Sequence, residues 1–133
     1  MREGTLPSGD RVIQTLTLIG QLPRMNEFAG DQRKWAYYNL KKKAEALIGQ
    51  EIMVQKLKPM EFAYFSFIWF EPNRKFNPDN IMSSQKFVLD ALVKSKIIKN
   101  DGWSEVLGLS HSFVCNQGGT AGVQITLSDK GQP

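Results

Sequence analysis

The sequence predicts one α/β domain of the α+β kind over residues 1–133, with elements in the order β-α-β-α-β-β and a mixed sheet packed by two helices. Two observations mark its strands: a β-branched alternating stretch at residues 11–20 and an almost unbroken aromatic run at 61–70. The third is a pair of segments with helical periodicity, each opened by an aspartate and each lying between strands.

Residues 1–10 contain Gly, Pro and Ser and are expected to fray. In residues 11–20, Val12, Gln14, Leu16 and Leu18 alternate with Ile13, Thr15, Thr17 and Ile19, the pattern of a strand. Pro23 forbids its simple continuation. Asp31 is a candidate N-cap for a helix over 32–48, with Gly49 as its stop. Trp35, Tyr38, Ala44 and Leu47 are expected on its apolar face, and Lys34, Lys41, Lys42 and Lys43 on its wetter side.

Phe62, Tyr64, Ser66, Ile68 and Phe70 alternate with Ala63, Phe65, Phe67 and Trp69, so both faces of this strand are apolar. That predicts a central strand covered on two sides. Pro72 ends it, 73–78 form a polar loop, and Asp79 can cap a helix over 80–95. Ile81, Val88 and Leu92, with Ser84, Phe87 and Ala91, should share its buried face. Residues 104–115 and 122–127 read as two strands joined by the Gly-containing segment 116–121, and 128–133 as a frayed tail.

Composition narrows the function classes. One cysteine, Cys115, allows no intramolecular disulfide and no Cys-based zinc site, which fits a reducing cytoplasm. No apolar stretch has the length of a signal-peptide core or a membrane span, so neither export nor membrane insertion is indicated. The net charge of +4 is uneven: residues 33–99 hold 13 basic and 6 acidic side chains, whereas the flanks hold 4 and 7. A basic middle suits a polyanion, and equally a solvated lysine-rich surface.

The loop leaving the aromatic strand and feeding a helix is a sound place for a site, because rigid elements hold its two ends. Asp79 stands there, and Asp101 follows the helix, so a chain that doubles back could bring both to one Mg²⁺. Lys86 could stabilise charge developing on a phosphate, or serve as the i,i+4 partner of Asp90, itself spaced for Lys94. Asp79 has the N-cap as its structural alternative, and for Asp90 the structural role is favoured. Arg74 and Lys75 suit phosphate contacts that position a polyanion backbone without reading sequence. His111 is solitary and falls in a strand, so it reads as structural or incidental. Glycine loops for phosphate, nucleophile elbows and zinc-binding helix motifs are missing from the sequence.

In order along the chain, Asn77-Pro78-Asp79-Asn80, then Lys86 with Leu89-Asp90-Ala91-Leu92, then Asn100-Asp101-Gly102, resemble the RusA family of Holliday junction resolvases, closest to its phage and prophage branch. The resemblance is strong over 67–113, and Leu22-Pro23-Arg24-Met25-Asn26-Glu27 is similar to the family's weaker N-terminal motif. It implies a cytoplasmic, homodimeric endodeoxyribonuclease that nicks four-way DNA junctions symmetrically, with Mg²⁺ as cofactor and Mn²⁺ as a possible substitute. On that basis Asp79, Lys86 and Asp101 are the catalytic set, and Asn77, Asp79 and Asp101 the metal ligands. Lys34, Lys41, Lys42, Arg74 and Lys75 are the residues expected on DNA.

The sequence departs from the family pattern at Asn77, which stands where the loop's first aspartate is expected. An amide oxygen can ligate a hard cation but adds no charge and is no carboxylate base. Two readings follow: a metal-dependent junction nuclease, or a catalytically silent junction-binding protein of the same fold. A generic small α/β protein with a basic surface is the third, and it leaves the coincidence of Asp79, Lys86 and Asp101 unexplained.

Overall fold

The computed structural model describes residues 12–23 and 34–131, in the order β1 (Ile13–Ile19), α1 (Lys34–Val54), β2 (Ala63–Glu71), α2 (Pro78–Met82), α3 (Gln85–Lys94), β3 (Val106–Cys115) and β4 (Gly122–Ser128). The four strands form one mixed sheet in the order β1-β4-β2-β3. β4 runs antiparallel to both its neighbours, β1 and β2, while β2 and β3 are parallel. Thus the mixed α+β class and the element order stand, with the second helix divided in two.

Alternation decides which face is buried. Leu16 and Leu18 of β1, Phe65, Phe67 and Trp69 of β2, and Val123, Ile125 and Leu127 of β4 point to one side. There they form a single core with Ile48 and Ile52 of α1 and Phe87, Val88 and Leu92 of α3. Burying aliphatic and aromatic side chains of this size contributes about 1.5–3 kcal/mol each before the entropy of ordering them is subtracted.

The other face of β2 is not covered as expected. Tyr64, Ser66, Ile68 and Phe70 are only half-buried, because the helices pack on the Phe67 side. Across the open side, register places Thr15, Thr126, Ser66 and Ser110 in one row, a polar band that needs no cover.

Helix α1 differs from expectation in phase and length. Its buried residues are Ala44, Glu45, Ile48 and Ile52, whereas Trp35, Tyr38 and Leu47 are exposed. Apolar residues occur all round this helix, so periodicity alone did not fix the face it presents. Nor does Gly49 end it: a Cβ there would lie 3.6 Å from Ser95 Oγ, so this glycine marks where α1 passes close to the end of α3.

Lysines make the stops instead. Lys56, at φ 59°, bonds through its N–H to Met53 O, and Leu57 N–H reaches back to Ile52 O. The same pair recurs after α3, where Lys96, at φ 62°, bonds Val93 O and Ile97 N–H reaches Leu92 O. Both are Schellman ends with a lysine in the left-handed position usually given to glycine, and each is followed by an apolar residue packed on the core.

The predicted helix over 80–95 breaks at Ser83 and Ser84. Ser83 Oγ donates to Asn80 O at 2.6 Å and Ser84 Oγ to Pro23 O at 2.7 Å, so the serines bond to main chain around the break and dock it on the loop after β1. Its expected buried face is nonetheless present, since Ile81, Ser84, Phe87, Val88, Ala91 and Leu92 are all buried. The tail expected from residue 128 does not begin there. Ser128 belongs to β4, and buried Asp129 accepts from Val12 N–H at 2.8 Å and donates its own N–H to Val12 O at 3.2 Å, extending the ladder. Asp31, Arg24 to Glu27 of the N-terminal motif and residues 1–10 lie outside the described residues. Among the described residues no helix is long and apolar enough to cross a membrane.

Candidate functional site

Lys86 is the second residue of α3, directly after the Ser83-Ser84 break, so its side chain leaves the first turn of a helix whose next two residues, Phe87 and Val88, are wholly buried. Its Nζ lies 3.1 Å from Asp101 Oδ2 and 3.1 Å from Asp90 Oδ1. Both carboxylates hold the Lys86 proton more tightly than an ordinary lysine would, Asp101 foremost. Asp101 is presented by the turn after α3, where its N–H donates to Asn100 Oδ1 at 2.9 Å.

The contacts continue past Asp90. Lys41 of α1 lies 3.4 Å from Asp90 and 3.9 Å from Glu45, and Lys94 donates to Glu45 at 2.6 Å. Asp101, Lys86, Asp90, Lys41, Glu45 and Lys94 therefore form one chain of alternating charge that ties α1, α3 and the following turn together. Lys94 thus goes to Glu45 rather than Asp90, and Glu45 raises its proton affinity, chiefly by that hydrogen bond. Glu45 is 6 % exposed, and its Oε2 has no hydrogen-bond partner. Sequence reading passed over it, since a glutamate amid lysines reads as one more surface charge; only its position on the buried stripe of α1 could have marked it.

These groups line an open pocket of about 520 Å³ together with Tyr38, Lys42, Val93 and Asn100. Lys42 lies 4.8 Å from the centre of the Tyr38 ring and, mainly through a hydrogen bond, holds the Tyr38 phenol below its usual range. Four lysines against three carboxylates leave the pocket a net positive charge. Lys41, expected on the wet face, is instead half-buried within the charge chain; Lys34 and Lys42 are exposed, as expected.

Asn77 and Asp79 belong to a different environment. Asn77 is the N-cap of α2 with no side-chain capping bond, Pro78 follows, and Asp79 sits in the first turn rather than at the cap. Both are exposed, and Asp79 Oδ1 accepts from the N–H of its neighbour Asn80 at 2.9 Å. Arg74 and Lys75 are exposed in the preceding loop, with Lys75 Nζ 5.4 Å from the centre of the Phe76 ring. Neither Asn77 nor Asp79 lines the pocket that holds Lys86 and Asp101. The structure thus brings Lys86, Asp90 and Asp101 together, with Asn77 and Asp79 exposed and outside the lining of their pocket. Trp103, which the sequence reading did not single out, exposes its indole beside Asp101.

Among the described residues no three His, Cys, Asp or Glu side chains stand close enough to hold a metal ion. The donor chemistry of Asn77, Asp79 and Asp101 suits a hydrated Mg²⁺, which takes one or two carboxylates and keeps several waters, and does not suit a closed all-protein cage. In comparisons with known proteins, no family model and no curated protein matches the chain.

Proposed function

We propose that this protein is a structure-specific endodeoxyribonuclease that nicks four-way DNA junctions in pairs, acting as a homodimer with one site per protomer. The observation that carries the reading is the pairing of Lys86 with Asp101, fifteen positions apart, at 3.1 Å inside a basic pocket. An ammonium held by two carboxylates at the head of a helix is poised to stabilise charge developing on a scissile phosphate. Asp79 and Asp101, with Asn77 as a weak third donor, would hold Mg²⁺ or Mn²⁺. When bound, that ion would supply phosphate charge neutralisation and a more acidic water. Lys34, Lys42, Arg74 and Lys75 would contribute salt-sensitive contacts to the DNA backbone.

The test is incubation of the protein with labelled four-way junction and linear duplex, in Mg²⁺, in Mn²⁺ and in chelator, scoring both cleavage and gel retardation. Paired nicks that require metal are the expected result. Equal binding to junction and duplex, without cleavage, would sink the proposal.

A second reading, a silent junction-binding protein, is favoured by Asn77, whose amide oxygen adds no charge where the family pattern has a carboxylate. It predicts retardation without cleavage in the unaltered chain and metal-dependent cleavage in Asn77→Asp, which restores the carboxylate.

A further inference from the structure

His111, read from sequence as structural or incidental, lies in β3 with both ring nitrogens engaged. The Trp69 indole N–H donates to His111 Nδ1 at 2.9 Å, and His111 Nε2 lies 2.9 Å from Gln85 Oε1. An indole nitrogen only donates, so Nδ1 must accept. A neutral ring that accepts at Nδ1 carries its proton on Nε2, where it donates to the Gln85 carbonyl oxygen. The tautomer is thereby set by its two neighbours.

The ring is also fixed in plane. It stacks on Phe67 at a centroid distance of 4.8 Å and an angle of 16°, with the Trp69 and Phe113 rings nearly parallel to it at 6.1 and 6.5 Å. Gln85 is the first residue of α3 and Lys86 the second. Two side-chain bonds therefore pin the first turn: Ser84 to the loop after β1, and Gln85 to the sheet through His111.

We infer that His111 is a positioning residue, clamped as the Nε2–H tautomer between Trp69 and Gln85, and that through Gln85 it sets where the first turn of α3 holds Lys86. Protonation would place a second N–H at Nδ1, facing the Trp69 N–H, so the clamp should open as the ring gains charge. Burial already pushes the His111 pKa down, with no charged neighbour contributing. Phe67 and Trp69 on β2, Phe113 on its own strand and Gln85 on α3 are uncharged. The ionisable groups near them in sequence are Glu71, at the end of β2, Cys115, exposed at the end of β3, and Lys86, turned toward Asp90 and Asp101.

His111 is the only histidine of the chain, so its imidazole is identified in a nitrogen-edited NMR spectrum without assignment. The expected spectrum shows a protonated Nε2 and an unprotonated Nδ1 near neutral pH, with the Trp69 indole proton titrating in step with the ring. A proton on Nδ1, or a Trp69 signal indifferent to ring titration, would overturn the inference. For the second link, Gln85→Leu removes the Gln85 bond and leaves the Trp69 bond, whereas His111→Phe removes both and keeps an aromatic ring in the stack. Each should shift the Lys86 ammonium resonance, and unchanged Lys86 signals in both folded variants would refute the positioning role.

The catalytic arm rests on the proposed nuclease reading. There, both variants should lower the junction-cleavage rate by roughly 10- to 100-fold, the scale of a misplaced catalytic group, with junction affinity held within about twofold. Unchanged cleavage would overturn the positioning role, whereas a natural chain that does not cut bears on the nuclease reading alone and leaves the two NMR tests in force.

Discussion

The two arms of the candidate site are built in opposite ways. Around Lys86 the chain of ion pairs crosses between elements: Asp101 on the turn after α3, Lys41 and Glu45 on α1, Lys94 at the end of α3. The Asp79 side chain accepts from the next residue in sequence, and both Asn77 and Asp79 face solvent. The Lys86 arm has its geometry fixed by ion pairs between elements, whereas the Asp79 arm keeps its oxygens exposed. An oxygen ligand for a hydrated cation needs that availability, and a lysine that must meet a phosphate needs the opposite.

The sharpest break of this contrast is Lys86→Ala. If the Lys86 arm supplies transition-state charge, the junction-cleavage rate should fall by about 10²–10³-fold with little change in affinity, as for loss of a preorganised donor. Rates under saturating junction would measure it. Asp79→Asn should also remove cleavage, yet alter folding stability by less than about 1 kcal/mol, because Asp79 is exposed and bonded only locally. Urea denaturation beside the cleavage assay separates the two effects, and a large loss of stability would show that the exposed arm is structural after all.

Glu45→Gln tests the deep end of the charge chain. The amide keeps the shape but not the charge, so Lys94 should fall back toward ordinary lysine proton affinity and the melting temperature should drop. Lysine nitrogen NMR and thermal unfolding report these separately. The smallest effect concerns pH. Burial depresses the His111 pKa, so the native state binds fewer protons than the unfolded chain and stability is lost as pH falls through the window below the ordinary histidine value of about 6.5. Denaturation midpoints at about pH 7.5 and 5.5 should differ less in His111→Phe than in the natural chain, since the variant lacks this titration.

Much of the frame was legible because strands announce themselves locally. Alternation at Leu16 and Leu18 and the aromatic run from Phe62 to Phe70 carry period two in the sequence itself, and the buried face of α3 follows from Val88, Ala91 and Leu92. The face of α1 was not legible, because Trp35, Tyr38 and Leu47 offer an apolar stripe as convincing as the buried one. Its end was misplaced because Gly49 serves close helix packing, while Lys56 takes the left-handed stop.

Within the site, the sequence marked Asp79, Lys86 and Asp101 as residues, and the i,i+4 spacing marked the Lys86–Asp90 pair. It carried no sign that Glu45 would be buried under Lys94, that Lys41 would turn inward to Asp90, or that the only histidine would stand between Trp69 and Gln85.

Residue types and local periodicity determined the α+β class, the strands, the buried stripe of α3 and the chemical inventory of the site, since these depend on neighbours a few positions apart. Tertiary structure alone decided that one face of the sheet stays open, which lysines pair, and that Lys86, Asp90 and Asp101 meet while Asn77 and Asp79 stay exposed. Those outcomes depend on contacts between residues 15 to 49 positions apart, such as Lys86 with Asp101 and Glu45 with Lys94, and packing, rather than local pattern, selects them.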